Sequence, residues 1–273
     1  MTRFMIVPQW QGSASARAMQ LSDGADAIAG DLPRAACTRV DVPMEAGDEQ
    51  ETGVHRFSAL AQVRTALDAA LVAHSERAMT VGGDCGVAVG AVAHSAAGHR
   101  RIGLVWADAH PDLHTPETSA SHAFGGMALR AILGDGAPHL TIAGGVIRPS
   151  DVILVGARSI DEAEAAYIAA HGIRVLGVDE LGDPSALAAA VAALDVDAVH
   201  LHVDVDVLDP AEMPGVKASE PFGVGLSPLV AALKAVREST PLAGTSLAGF
   251  SPSSPANAAA DMGTLLRLVG ALA

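Results

Sequence analysis

An α/β fold, with helices covering both faces of a mainly parallel sheet, is predicted by three features of this 273-residue chain. Short runs rich in valine, isoleucine and leucine alternate with amphipathic stretches along its whole length, the pattern of successive strand–helix units. The central run is the most regular: Val199, Leu201, Val203 and Val205 alternate with His200, His202, Asp204 and Asp206, the period of a strand. Polar clusters at 82–86, 108–114 and 204–209 each follow directly on a strand, where ligands bind in open parallel sheets. No segment has linker composition and no repeat is evident, so residues 1–273 read as a single three-layer α/β/α domain.

Taken in order, residues 4–8 form a first strand and 13–29 a helix. A short strand at 38–42 is stopped by Pro43, and the acidic stretch 45–51 is a solvated connection. Leu60, Val63, Leu67 and Leu71 recur at helical spacing, which predicts an amphipathic helix over 55–74. Strand 78–81 runs into the glycine-rich turn 82–86 and helix 87–97; strand 102–107 runs into the acidic cluster. A Ser/Thr-rich loop, 115–125, precedes a helix over 127–133. The alternation then continues as strand 152–156, helix 161–170, strand 173–178, helix 184–194, strand 198–207, helix 228–238, strand 243–250 and helix 257–272.

Composition narrows the function. Half of the residues are hydrophobic but only 3% are aromatic, so the core is aliphatic. A net charge of −14 argues against nucleic acid and anionic membranes as partners. No apolar run approaches the roughly 18 residues of a membrane span, and Met-Thr-Arg-Phe-Met-Ile-Val-Pro lacks a signal-peptide pattern. Two cysteines, Cys37 and Cys85, make no disulfide framework and fit a reducing cytoplasm.

Asp204 and Asp206 repeat at a spacing of two just before Asp209-Pro210, which ends the strand. Asp108, His110 and Asp112 do the same after residue 107. Four carboxylates converging without cations repel one another strongly, so their meeting implies metal. Two divalent ions about 3.5–4 Å apart, bridged by shared carboxylates, suit this inventory. Carboxylate-rich ligation favours Mn²⁺, while a thiolate ligand would favour Zn²⁺. A solvated edge strand is the competing reading of 198–207, and its valines argue against it.

Gly-Gly-Asp-Cys (82–85), Asp-Ala-His-Pro-Asp (108–112) and Val-Asp-Val-Asp-Val-Leu-Asp-Pro (203–210) resemble, in order and spacing, the metal motifs of the arginase/agmatinase (ureohydrolase) superfamily. The resemblance covers nearly the whole chain. It implies two Mn²⁺ ions and attack of a metal-bridging hydroxide on a guanidinium carbon. It also implies that Asp108 and Asp204 bridge the metals, that Asp112 and Cys85 complete one site, and that His110 and Asp206 complete the other. Gly156-Ala-Arg158-Ser-Ile-Asp161-Glu-Ala-Glu164 is similar to the arginase segment whose acids receive a substrate α-amino group, with Asp161 and Glu164 at those positions. Acidic residues in a first helical turn also serve the helix dipole. The loop 115–121, with Ser119 and Ser121, resembles the arginase loop whose hydroxyls bind the α-carboxylate, and His114 beside it is a candidate for substrate binding or proton transfer. The implied partner is a guanidino amino acid, and a homo-oligomer stays open.

Three positions depart from that pattern. Cys85 stands where a metal-binding histidine is usual, Gly125 where arginase has a proton-shuttling histidine, and Gly249 where a glutamate holds the guanidinium. Two dications neutralise four carboxylates, and a thiolate then leaves the site net negative, a poorer source of acidified hydroxide. A cationic guanidinium without a counter-charge binds weakly, whereas the far less basic N-hydroxyguanidine can be neutral near pH 7. The cysteine-for-histidine departure resembles the hydroxyarginine amidinohydrolase branch that supplies hydroxyurea to D-cycloserine biosynthesis in actinomycetes. The expected reaction converts Nω-hydroxy-L-arginine to hydroxyurea and L-ornithine, with His122 and Glu220 as candidate proton-transfer residues. An ordinary arginase, a deacetylase-like amidohydrolase and a non-catalytic binding protein are the alternatives.

Overall fold

The computed structural model describes residues 2–216 and 218–273. An eight-stranded sheet runs through the molecule in the order β2-β1-β3-β8-β7-β4-β5-β6. The strands are β1 (Thr2–Val7), β2 (Cys37–Arg39), β3 (Arg77–Gly82), β4 (Ile102–Ala107), β5 (Val152–Val155), β6 (Arg174–Leu176), β7 (Ala198–Asp204) and β8 (Leu242–Ala248). Every strand pairing is parallel, so the expected mainly parallel sheet is wholly so. The helices are α1 (Gln20–Gly30), α2 (Phe57–Val72), α3 (Val87–Ala97), α4 (Ala128–Ile132), α5 (Glu162–His171), α6 (Pro184–Ala192), α7 (Leu226–Ser239) and α8 (Pro255–Leu272).

The alternating side chains of β7 and β4 feed two aliphatic cores. Val199, Leu201 and Val203 pack with α6, α7 and α8 on one face. Leu104 and Trp106 pack with α3 and α4 on the other. β4 and β7 are buried along their whole length, which is why they read as near-continuous apolar runs. β3, β8, β7, β4 and β5 are successive neighbours, and their carboxyl ends carry residues 83–86, 249, 204–206, 108–114 and 156–164.

Helix 87–97 and strand 102–107 have the expected bounds. Others move. The helix expected from residue 13 begins only at Gln20. Ser13 Oγ accepts from the Ser15 amide and Ser15 Oγ from the Arg17 amide, so local serine turns take the bonds a helix would use. The strand expected to 207 ends at Asp204, because its carboxylate accepts the Asp206 amide at 3.0 Å and tightens Val205–Val207 into a 3-10 turn. Asp206 is therefore aimed by a turn rather than by the pleat. The helix expected over 127–133 is a 3-10 turn, Phe124–Met127, followed by α4.

Candidate metal centre and substrate cleft

Gly82-Gly83-Asp84-Cys85 turns out of β3 against the loop of residues 9–12. Asp84 Oδ1 accepts from Gln9 Nε2 and from the Gly86 amide, and Oδ2 from the Gly12 amide, each at 2.9 Å. The turn is thereby pinned and Cys85, 1% exposed, points into the sheet end. Its Sγ lies 2.8 Å from Asp204 Oδ2 and 3.6 Å from Asp108 Oδ2. Asp108 Oδ1 accepts the His110 amide at 2.7 Å, and Asp206 Oδ1 accepts the Ala109 amide at 3.2 Å, locking the loops after β4 and β7 together. His110 Nδ1 is 3.4 Å from Asp108 Oδ1 and 3.2 Å from Asp206 Oδ2. Asp112, at φ 53°, is held in the left-handed region that aspartate tolerates, and its carbonyl accepts the Arg130 amide.

Besides a group of His114, Asp161 and Glu164, the described residues form two ligand clusters, each with donor atoms within 4.8 Å of one another: Cys85, Asp108 and His202, and Asp108, His110 and Asp206. Asp108 belongs to both, as a bridging carboxylate would. Burial works against a charged His110, yet the carboxylates of Asp108 and Asp206 outweigh it and push its pKa up to about 12. The cluster calls for positive charge between these acids. Three carboxylates no more than 1% exposed, an imidazole and a thiol are a donor set that fits a pair of divalent cations.

Beside this centre lies a cleft of about 270 Å³, lined by His110, Asp112, His114, Ser121, Gly125 and Glu164 among others. A larger cavity, about 550 Å³ between α1 and α8, holds none of these groups. Asp161 caps α5: its carboxylate accepts the Glu164 amide at 2.9 Å, and Glu164 reaches back to the Asp161 amide. Burial raises the pKa of Glu164, while the Leu113 amide that donates to it works the other way. His114 Nε2 stands 3.3 Å from Asp161 Oδ2 and 3.9 Å from Glu164 Oε1. Ser119 is buried, accepts the His122 amide and lies 3.4 Å from Ser121 Oγ, behind the cleft wall.

The candidate proton-transfer residues separate. Glu220, half-buried, places Oε1 3.6 Å from His110 Nε2. His122 Nδ1 is engaged with the Gly53 carbonyl at 2.9 Å and its ring leans on His55. The two glycine departures have structural reasons. Gly249 has φ +88°, and a Cβ there would collide with the Asp204 carboxylate. At Gly125 a Cβ would stand 3.1 Å from the Gly12 carbonyl, which already accepts the Gly125 amide.

Two residues are more important than their sequence context suggests. Arg158 donates to the carbonyls of Gly156, Asp206, Val207, Leu208, Glu220 and Pro221, binding the loops after β5 and β7 to the 220–221 segment. No local pattern signals this, because all but one of its acceptors lie far along the chain. His202, on the polar face of β7, reaches the Cys85–Asp108 cluster. Its position on the face shared with Asp204 was the available signal.

The arginase family model matches residues 11–267. The arginase of Bacillus caldovelox is 38% identical over 198 residues, covering 68% of this chain and 64% of that protein. An arginase of Staphylococcus aureus is 32% identical over 184 residues, 64% of this chain and 61% of that one. The chain thus aligns with slightly less than two thirds of these relatives' lengths. The solved structure of the Bacillus caldovelox enzyme superposes with a TM-score of 0.81 at 28% identity, covering 99% of this chain and 97% of that one. Bacillus subtilis arginase gives 0.84 at 25%, covering 100% and 98%. An Entamoeba histolytica arginase in complex with L-ornithine gives 0.87 at 21%, covering 99% and 97%, a likeness of fold.

Proposed function

The chain belongs to the arginase family, and from that premise we propose that it hydrolyses Nω-hydroxy-L-arginine to hydroxyurea and L-ornithine with the help of two Mn²⁺ ions. Cys85, Asp108, Asp112 and Asp204 would hold one ion, and Asp108, His110, Asp204 and Asp206 the other. When bound, such a pair makes hydroxide available from water at neutral pH. The Cys85 thiol suits Zn²⁺ as well, and the reducing cytoplasm expected for this chain would keep it a thiol.

The protein's own groups do the rest. Asp161 and Glu164 receive the substrate ammonium, Ser121 binds its carboxylate with Ser119 supporting it from behind, and His114 lines the cleft that holds it. Glu220, facing His110 Nε2, keeps the imidazole proton on that nitrogen and leaves Nδ1 to a cation. Glu220 is also better placed than His122 to take the proton released by the attacking water and pass it to the departing amine, since His122 is tied to Gly53.

The observation that carries the substrate choice is Gly249. Its φ of +88° and its contact with Asp204 leave no room for a carboxylate that would counter a guanidinium cation. A neutral hydroxyguanidine needs none. The identity to arginases favours the second reading, hydrolysis of L-arginine itself. Product analysis with manganese separates them: hydroxyurea from hydroxyarginine, with arginine turned over far more slowly, is expected. Efficient urea release from arginine, with no preference for the hydroxylated substrate, would refute the proposal.

A further inference from the structure

Cys85 carries no ring nitrogen, so the cation site that it lines has one imidazole fewer than the motif it resembles. A buried imidazole stands on the other side of that site. The donor atoms of Cys85, Asp108 and His202 lie within 4.8 Å of one another, and all three side chains are buried. His202 is 0% exposed and its ring is stacked on Trp106 at 3.8 Å, which fixes the ring plane.

A chain of hydrogen bonds sets which nitrogen of His202 carries the proton. Ser95 Oγ donates to the Ala91 carbonyl at 3.0 Å and so must accept from His200 Nδ1, 2.8 Å away. His200 is then protonated on Nδ1 and accepts at Nε2, where Ser246 Oγ, at 3.1 Å, donates its one hydrogen. Ser246 Oγ is left to accept from His202 Nδ1 at 2.8 Å. With Nδ1–H anchored on Ser246, Nε2 is the nitrogen that a cation would take. Metal-ligating histidines are held in this way, the far N–H anchored to an acceptor and the lone pair presented to the ion.

We propose that His202 is a metal ligand, supplying from β7 the nitrogen that Cys85 does not supply from the end of β3, so that one cation is held by Cys85 Sγ, His202 Nε2 and the carboxylates of Asp108, Asp112 and Asp204. This rests on the two-cation reading above and deepens it. The site is deeper in the sheet and softer in its donors than an all-oxygen-and-imidazole site, which favours Zn²⁺ or Co²⁺ over Mn²⁺ at this position.

X-ray absorption of the full chain loaded with Co²⁺ tests it directly. Imidazole scattering from two rings for two ions is expected, from His110 and His202, together with a sulfur shell. The His202→Asn variant, whose amide can still reach Ser246, is expected to lose one ring from that signal. It should also bind one of the two ions at least ~10-fold more weakly, with a weakened thiolate-to-cobalt absorption band. One imidazole in the native protein, or a variant that binds both ions with native affinity, would overturn the assignment while leaving the two-cation reading intact. Should His202→Asn fail to fold, the native spectrum decides alone. Native protein that binds no divalent ion would overturn the reading beneath it and this assignment with it.

Discussion

On the proposed function, Gly249 and Cys85 are the residues on which substrate choice would turn. Adding a side chain at Gly249 meets both a left-handed backbone and the Asp204 carboxylate. Gly249→Glu should therefore not recreate an arginase. It is expected to lower stability by about 1–3 kcal/mol and to weaken cation binding, read by thermal unfolding and by metal content. Unchanged stability with a gain in arginine turnover would show that the backbone relaxes there. Cys85→His restores a neutral ligand and lowers the negative charge of the centre. The ratio of arginine to hydroxyarginine turnover should rise, on the order of tenfold for each 1.4 kcal/mol gained at the transition state, and a fall would contradict the charge argument. The carboxylates were legible from their spacing of two and Cys85 from the motif that it ends, because both are local properties of the chain. His202 and Arg158 were not: the first depends on what β3 brings across β8, and the second on loops that meet only in three dimensions.

Helix α5 and the Arg158 clasp show elements serving two ends. Asp161 and Glu164 complete a capping box, and that alone accounts for their presence in the first turn. Asn at position 161 keeps a cap acceptor but removes the charge. Asp161→Asn should leave the unfolding temperature nearly unchanged and raise KM for the amino acid substrate, whereas Asp161→Ala should also cost about 1 kcal/mol of stability. Equal KM in both variants and the native protein would leave the cap as the residue's whole role. Arg158 donates to the carbonyls of Asp206 itself, of Val207 after it and of Glu220. Burial lowers its pKa while Asp206 and Glu220 nearby raise it. Arg158→Met should destabilise the chain by about 3 kcal/mol, since it strands several carbonyls. It should also loosen the cation site that includes His110 and Asp206 before the one that includes Cys85, a difference that a metal titration reads.

At the scale of the whole molecule, a wholly parallel sheet gathers chemistry from five adjacent strand ends to one rim. The strand–helix alternation made this architecture readable in advance. The strand order was not, since no residue pattern says that β8 inserts between β3 and β7. Buried polar groups inside the sheet set the acid limit. Burial holds the His200 pKa down to about 3 against an ordinary value near 6.5, so the unfolded chain binds a proton there that the folded one does not. Stability is full above pH 6.5 and falls as pH drops towards 3. Asp151 adds to this below the usual carboxylate range. Burial alone would raise its pKa, but Arg101 and Arg148 hold it lower, so its contribution is lost as pH falls through that depressed value. Chemical denaturation at pH 7 and pH 5 should show the loss, and His200→Gln should flatten it; a slope unaltered by that change would contradict it. The central claim, that acids from separate strand ends close around a pair of cations with a sulfur in the shell, is tested most directly by anomalous diffraction from crystals grown with Mn²⁺. Two peaks flanked by Asp108 and Asp204, with Cys85 Sγ bonded to one of them, are predicted. No peak between those carboxylates, or a thiol turned away from it, would contradict the account.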